Sequence, residues 1–350
     1  MLRASLTSIA KSARTALAAF ALLGLAAALV PGDALAQAQP INPTAKAVTE
    51  EQLLQALQPG AEIAGRVSIP DQAATGLIKP GGQDWRAFHQ GTMLWITAIA
   101  LIGMIAIVGA FYAMRGKITI DSGLSGVKIL RFNAFERFVH WLTAGSFLVL
   151  ALTGLNLVLG RYVLLPLFGP EAFAAATQWG KYAHNYLAWP FMAGLVFMLV
   201  VWIKDNIPNG TDVAWLKAGG GLFSKGVHPP AKKFNAGQKG IFWSVIIGGA
   251  ALSVTGVFLL FPWLAGGYAD WQLMQIIHGI VAAALVAIMV GHIYIGSVGM
   301  QGAFDAMGSG EVDYNWAREH HSLWAEEAGR KQAATGGTAG GATPRPQPAE

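Results

Sequence analysis

The chain is 350 residues long, 54% hydrophobic and only 12% charged, with no cysteine and a formal net charge of +5. A soluble domain carries about 25% charge, so the composition argues against a soluble globular fold and against disorder over most of the length. The missing thiols exclude disulfides, thiolate zinc sites, Cys-held iron–sulfur clusters and covalently attached haem, which leaves His, Met and carboxylates to bind any metal.

At the start, Arg3, Lys11 and Arg14 precede an apolar run from Ala16 to Val30 and a small-residue site at Ala34-Leu35-Ala36. This is the pattern of a secretory signal peptide over 1–36, with an uncleaved anchor as the alternative. Residues 37–92 are polar and proline-dotted and read as an exported periplasmic arm. Five apolar stretches follow, at about 93–114, 138–159, 185–203, 240–264 and 274–298. Each is near the roughly 20 residues that cross a bilayer as a helix. Tryptophans (Trp95, Trp141, Trp202, Trp243, Trp263, Trp271) lie near several ends, as in interfacial belts. Residues 301–350 read as a tail, disordered at its Ala-, Gly- and Thr-rich end.

Charge sets the orientation. Arg115, Lys117, Lys128, Arg131 and Arg137 fall in the loop after the first span, and Lys204, Lys217, Lys225, Lys232, Lys233 and Lys239 in the loop after the third. Both loops are cytoplasmic if the mature N-terminus is periplasmic, which satisfies the positive-inside rule and puts the C-terminus inside. The basic excess is thereby explained without nucleic acid.

Ionisable residues inside spans mark function, because lipid penalises an unpaired polar group. His278 and His292 share the last span at a spacing of 14 residues, which gives about 21 Å of rise and about 40° of phase difference. They occupy one face near opposite surfaces. His140 begins the second span inside and His184 begins the third outside. Depth therefore pairs His140 with His292 and His184 with His278. Two bis-histidine sites stacked across a membrane suit two haem b groups. A hydrogen-bonded core imidazole or a proton relay is the alternative for any one of them. Gly154 and Gly256, each after a threonine, and the small residues Ala282 to Ala284, Ala287 and Gly291 leave room for a flat macrocycle or for close helix packing. His89, His228, His320 and His321 are expected to be mostly solvated.

The stretches Phe138-Val139-His140-Trp141, Asn206-Ile207-Pro208, Lys233 to Lys239 (KFNAGQK) and Trp316 to His321 (WAREHH) resemble the gamma subunit of membrane-bound formate dehydrogenase over about 130–327. The resemblance implies that His140 and His292 hold the cytoplasmic-side haem, and His184 and His278 the periplasmic-side one. It also implies a quinone pocket near Asn235, Gly237, Gln238 and His292. Without the family, Asn-Ala-Gly-Gln reads equally as a helix entry or turn. The first 125 residues depart from the shorter family pattern.

The expected fold is an all-α transmembrane helix bundle, a four-helix di-haem cytochrome b core over 130–300 with one additional N-terminal helix at 93–114. The expected role is to anchor a formate dehydrogenase in the bacterial inner membrane and pass electrons through two b haems to menaquinone or ubiquinone, in anaerobic or formate-dependent respiration. Formate oxidation itself belongs to another subunit. An iron–sulfur (beta) subunit and a molybdenum- or tungsten-pterin (alpha) subunit are the implied partners. Alternatives are the cytochrome b of a hydrogenase or another respiratory oxidoreductase, and a histidine-based transporter. The transporter predicts buried Asp or Glu in the spans, which contain almost none.

Overall fold

The computed structural model describes residues 82–336, the side chains of 84–330 among them. The signal peptide, nearly all of the arm and the final Ala/Gly/Thr-rich stretch lie outside the described residues. A short helix, Gly82–Ala87, runs through a π-turn at Phe88–Thr92 into α1 (Met93–Arg115) without leaving helical geometry. The helix thus begins before residue 93, because Asp84, Arg86 and Gln90 are polar and hide its first turns from an apolar-run criterion.

After the short strand β1 (Lys128–Leu130), α2 is helical from Ala134 to Trp202, 69 residues in all. That is about 100 Å at 1.5 Å per residue, several times a hydrocarbon core of about 30 Å. The helix breaks at Gly169, where φ is 77° and ψ 170°, a backbone conformation that glycine adopts freely and that Pro170 then follows. The two arms run back along each other. Asn156 donates to Thr177, and Trp202 Nε1 donates to Glu136. Gly160 and Gly194 leave no room for a Cβ against Phe173 and Thr143. These contacts define an antiparallel helical hairpin.

The chain continues through α3 (Gly210–Lys217), α4 (Ala236–Leu260) and α5 (Tyr268–Tyr294), which ends in a π-turn at Ile295–Gly299. Among the described residues, four helices are long and apolar enough to cross a membrane: Asp84–Arg115, Ala134–Trp202, Ala236–Leu260 and Tyr268–Gly299. α5 packs on both α4 and α1, and α4 packs on α2. Gly248 lies against Leu285 and Gly256 against His278, so α4 and α5 are antiparallel; Met93 lies against Gly279 and Met104 against Gly291, so α1 runs parallel to α5. Large side chains such as Ile99, Ile102, Leu152, Ile247 and Val254 point outward, exposed. An apolar exterior of this extent belongs in lipid.

Polar packing is concentrated at one end of the bundle, the cap end. Strand β2 (Glu311–Asp313) pairs antiparallel with β1, and α6 (Tyr314–His320) and α7 (Ser322–Gly336) follow. Phe132, Val139, Trp202, Phe234, Val312 and Trp316 join one buried cluster there. α2, α3 and α4 all start at this end on capping boxes, Asn133 with Glu136, Asn209 with Asp212 and Asn235 with Gln238. The segment after residue 301, expected only as a tail, is therefore packed structure through α6 and into α7, where Ala317 and Ala325 are fully buried.

Candidate haem and quinone sites

α2 and α5 carry the four histidines, and two pairs of rings come together. His140 at the start of α2 faces His292 near the end of α5, with ring centroids 6.4 Å apart. His184 on the return arm of α2 faces His278 near the start of α5, at 6.3 Å. The first pair lies at the cap end and the second at the far end. Two imidazoles bound to one metal from opposite sides would have centroids about 6 Å apart, given a metal–nitrogen bond of about 2 Å and about 1.1 Å from nitrogen to ring centre. Both pairs fit an iron held between them.

The far-end rings are fixed at the other nitrogen. Thr153 Oγ1 donates to Val149 O at 2.7 Å and accepts from His184 Nδ1 at 2.7 Å. Thr255 Oγ1 donates to Ala251 O at 2.7 Å and accepts from His278 Nδ1 at 2.9 Å. With each hydroxyl proton directed to a helix carbonyl, each ring donates from Nδ1 and leaves the Nε2 lone pair for a metal, the tautomer that ligation through Nε2 requires. The residue after each threonine is glycine, which brings the helix close to the same ring. A Cβ on Gly154 would lie 3.7 Å from His184 Cε1, and one on Gly256 would lie 3.5 Å from His278 Cε1. The repeated Thr-Gly dipeptide was visible in the sequence, but only its glycines suggested a role. At the cap end the arrangement differs: His140 Nδ1 is buried without a hydrogen-bond partner, and its ring stands edge-on to Trp141.

A cavity of about 740 Å³ opens beside the cap-end pair, within the size range of small-molecule and cofactor sites. Its lining includes His140, His292, Asn235, Gly237, Gln238 and His320. The Asn-Ala-Gly-Gln motif is thus both a helix entry and part of a cavity wall. Asn235 Oδ1 accepts from the Gln238 backbone N–H at 2.9 Å, and Gln238 Oε1 accepts from that of Asn235 at 3.1 Å. The two side-chain oxygens are committed to the cap, so the amide NH₂ groups are what these residues can offer a ligand. Gly237 passes under the Trp215 ring, where a Cβ would come within 3.0 Å of the indole.

The expectation of solvated tail histidines is corrected here. His321 is 1% exposed. Its Nδ1 donates to Lys232 O at 2.7 Å and its Nε2 accepts from Arg131 Nη2 at 2.9 Å. Arg131 also donates to Lys233 O at 2.7 Å and lies over the Trp316, Phe132 and Trp324 rings. Burial lowers the Arg131 guanidinium to about 9. Burial, helped by Arg131, pushes His321 well below the ordinary imidazole value. His320 lines the cavity, has a buried Nε2 without a partner, and is lowered to about 4, chiefly by burial. Their place in the tail made these two look like surface residues; His321 is held by Arg131, 190 positions away in the sequence. His228 and His89 are exposed as expected, His228 paired with Asp121 at 3.0 Å and His89 beside Trp85.

Residues 131–310 match the family model described as prokaryotic cytochrome b561. The chain is 29% identical over 210 residues to the nitrate-inducible formate dehydrogenase cytochrome b556(Fdn) subunit of Escherichia coli K12, covering 59% of this chain and 94% of that protein. It is 28% identical over 202 residues to the formate dehydrogenase cytochrome b556(fdo) subunit of the same organism, covering 57% and 92%. Against the formate dehydrogenase cytochrome b556 subunit of Haemophilus influenzae it is 23% identical over 205 residues, covering 57% and 83%. With the matched segment spanning over half of its length and containing both histidine pairs, the chain belongs to the prokaryotic cytochrome b561 family of haem b membrane proteins.

Proposed function

We propose that this chain is the cytochrome b subunit of a formate dehydrogenase, holding two haem b groups and delivering electrons to quinone. The observation that carries the reading is the pair of ring separations, 6.4 Å and 6.3 Å, at opposite ends of one apolar bundle. The similarity to the cytochrome b556 subunits supports the choice of formate as the ultimate electron source.

His140 and His292 would hold one haem, and His184 and His278 the other, each through Nε2. Bound there, haem b supplies reversible one-electron redox chemistry. The chain's own part is to fix the ring planes, exclude water with apolar helices, and present the cavity beside His292 to quinone. The Asn235 and Gln238 amide groups, on the cavity wall, would donate to a quinone carbonyl, with Gly237 letting the Trp215 ring pack on the same turn. Electron-rich partners are required, because the chain has no cysteine for a cluster; an iron–sulfur subunit and a molybdenum- or tungsten-pterin subunit fill that need. They would dock at the His184–His278 end.

In this reading the hairpin of α2 counts as two crossings, so five segments span the inner membrane, and Asp84–Arg115 is an addition to a four-helix core. The cap end, which carries Lys128, Arg131, Arg137, Lys232, Lys233 and Lys239, is cytoplasmic by the positive-inside rule. Quinone would then take up its protons from the cytoplasm.

The test is a reduced-minus-oxidised spectrum with a pyridine haemochrome assay on the purified complex. Two b haems per chain, reducible by formate, are expected. Absence of b-type absorbance sinks the proposal, and reduction by hydrogen but not formate would transfer it to a hydrogenase.

A further inference from the structure

The two histidine pairs have nearly the same ring geometry but different surroundings, and the difference lies on the nitrogen that faces away from the partner ring. At the far end, each Nδ1 lies within hydrogen-bond distance of a threonine hydroxyl whose proton is directed to a helix carbonyl, with the Leu150 and Leu252 carbonyls as further acceptors beside His184 and His278. At the cap end, His140 Nδ1 is buried with no acceptor. Among the described residues no side-chain hydrogen bond reaches His292 either.

An acceptor on the far side of an imidazole draws its N–H proton outward and leaves more electron density on the ligating nitrogen. A stronger donor nitrogen favours ferric over ferrous iron, so it lowers the reduction potential. We propose that Thr153 and Thr255 are positioning residues that hold the far-end haem at a lower potential than the cap-end haem. The inference rests on the haem assignment above and adds to it a difference in potential between the two sites. Electrons entering at the far end move toward the cap end downhill. The proton stays on Nδ1 through the one-electron cycle, so the device consumes no co-reactant.

Its construction supports a purpose beyond packing. The two threonines come from different helices, Thr153 from α2 and Thr255 from α4. Each grips a histidine on the neighbouring helical segment through the same hydroxyl geometry, and each is followed by the glycine that lets the helix approach that ring.

The experiment is a potentiometric titration of the haems in the purified complex, followed optically. The unaltered protein is expected to show two b-haem waves, with the lower one missing in His278→Ala. Thr153→Val and Thr255→Val are expected to move that lower wave to more positive potential and leave the upper wave in place. Thr153→Ser and Thr255→Ser, which keep the hydroxyl, are expected to restore it. Valine variants that retain both haems with unmoved waves overturn the inference. So does loss of the upper wave in His278→Ala, a result that stands even if a valine variant fails to assemble. Absence of haem from the unaltered protein would defeat the haem assignment instead, and is scored separately by the haemochrome assay.

Discussion

Glu136 and Lys233 are ion-paired at 2.6 Å, which ties the first turn of α2 to the segment entering α4. The carboxylate is also the acceptor for Trp202 Nε1 at 3.0 Å and for the Asn133 backbone at 2.9 Å. One side chain thus closes the helical hairpin, caps its first arm and neutralises a lysine, with only 10% of its side chain exposed.

Glu136→Ala leaves two donors without their acceptor and leaves Lys233 only its longer contact with Asp205, at 3.9 Å. Removing one partner of a buried pair costs about 3–5 kcal/mol, and a loss near the lower end is expected because Lys233 reaches some solvent. Lys233→Met should cost less, since the carboxylate keeps two donors. Thermal unfolding in detergent, followed by circular dichroism, measures both; equal effects would show that the ion pair alone matters.

Ligand variants test the pairing directly. His278→Ala or His184→Ala should leave one haem b per chain, and His292→Ala or His140→Ala should leave the other and also stop quinone reduction. Haemochrome stoichiometry decides this. Retention of two haems in any of the four contradicts the pairing.

The crossing of the α2 arms is tight at Gly194, where a Cβ would sit 3.2 Å from the Thr143 backbone and closer still to its hydroxyl. Gly194→Val should destabilise the hairpin by about 1–3 kcal/mol through overpacking. Gly194→Ala combined with Thr143→Ala should recover part of the loss of Gly194→Ala alone, because the hydroxyl is then gone. A double-mutant cycle on unfolding temperature shows no coupling if the arms do not meet there.

Acid should weaken the cap end in two stages. His320 and His321 have folded pKa values below the unfolded value of 6.5. The stability they confer is therefore complete above about 6.5 and is lost as pH falls toward their folded values. Glu319 follows at lower pH. Burial raises its pKa, but hydrogen bonds from the Ser122 backbone and hydroxyl and from the Asp121 backbone outweigh this and hold it below 4.5. Its contribution persists above about 4.5 and disappears only below. His321→Gln should flatten the first stage and Glu319→Gln the second in a plot of melting temperature against pH; a flat wild-type profile between pH 6.5 and 5 contradicts the first stage.

The spans were legible because lipid imposes a length and a composition that need no long-range information, and the pairing of His278 and His292 with their partners followed from helix period and depth. The spans at 138–159 and 185–203 put a turn between them but did not give its position; the backbone puts it at Gly169-Pro170, with both arms helical up to it. The buried state of His320 and His321 was hidden for a different reason. It is made by Arg131, Trp316 and Trp324, a set assembled from both ends of the core, and no local pattern distinguishes it from a solvated face. The KFNAGQK stretch showed both of its properties, as a cap and as a wall, but their coexistence could be seen only once the two amide oxygens were found bonded within the motif.

The placement of His278 and His292 on the single helix α5 has a mechanical meaning. Their separation along the axis is set by covalent backbone geometry and helical hydrogen bonds, as the marks on a ruler are. The gap within each pair, by contrast, is set by contacts between different helices. Heat, detergent or a packing defect will therefore open the gaps between facing rings well before it alters the axial spacing between the two levels. A damaged protein of this design should lose the facing of its ring pairs while keeping the axial spacing of His278 and His292.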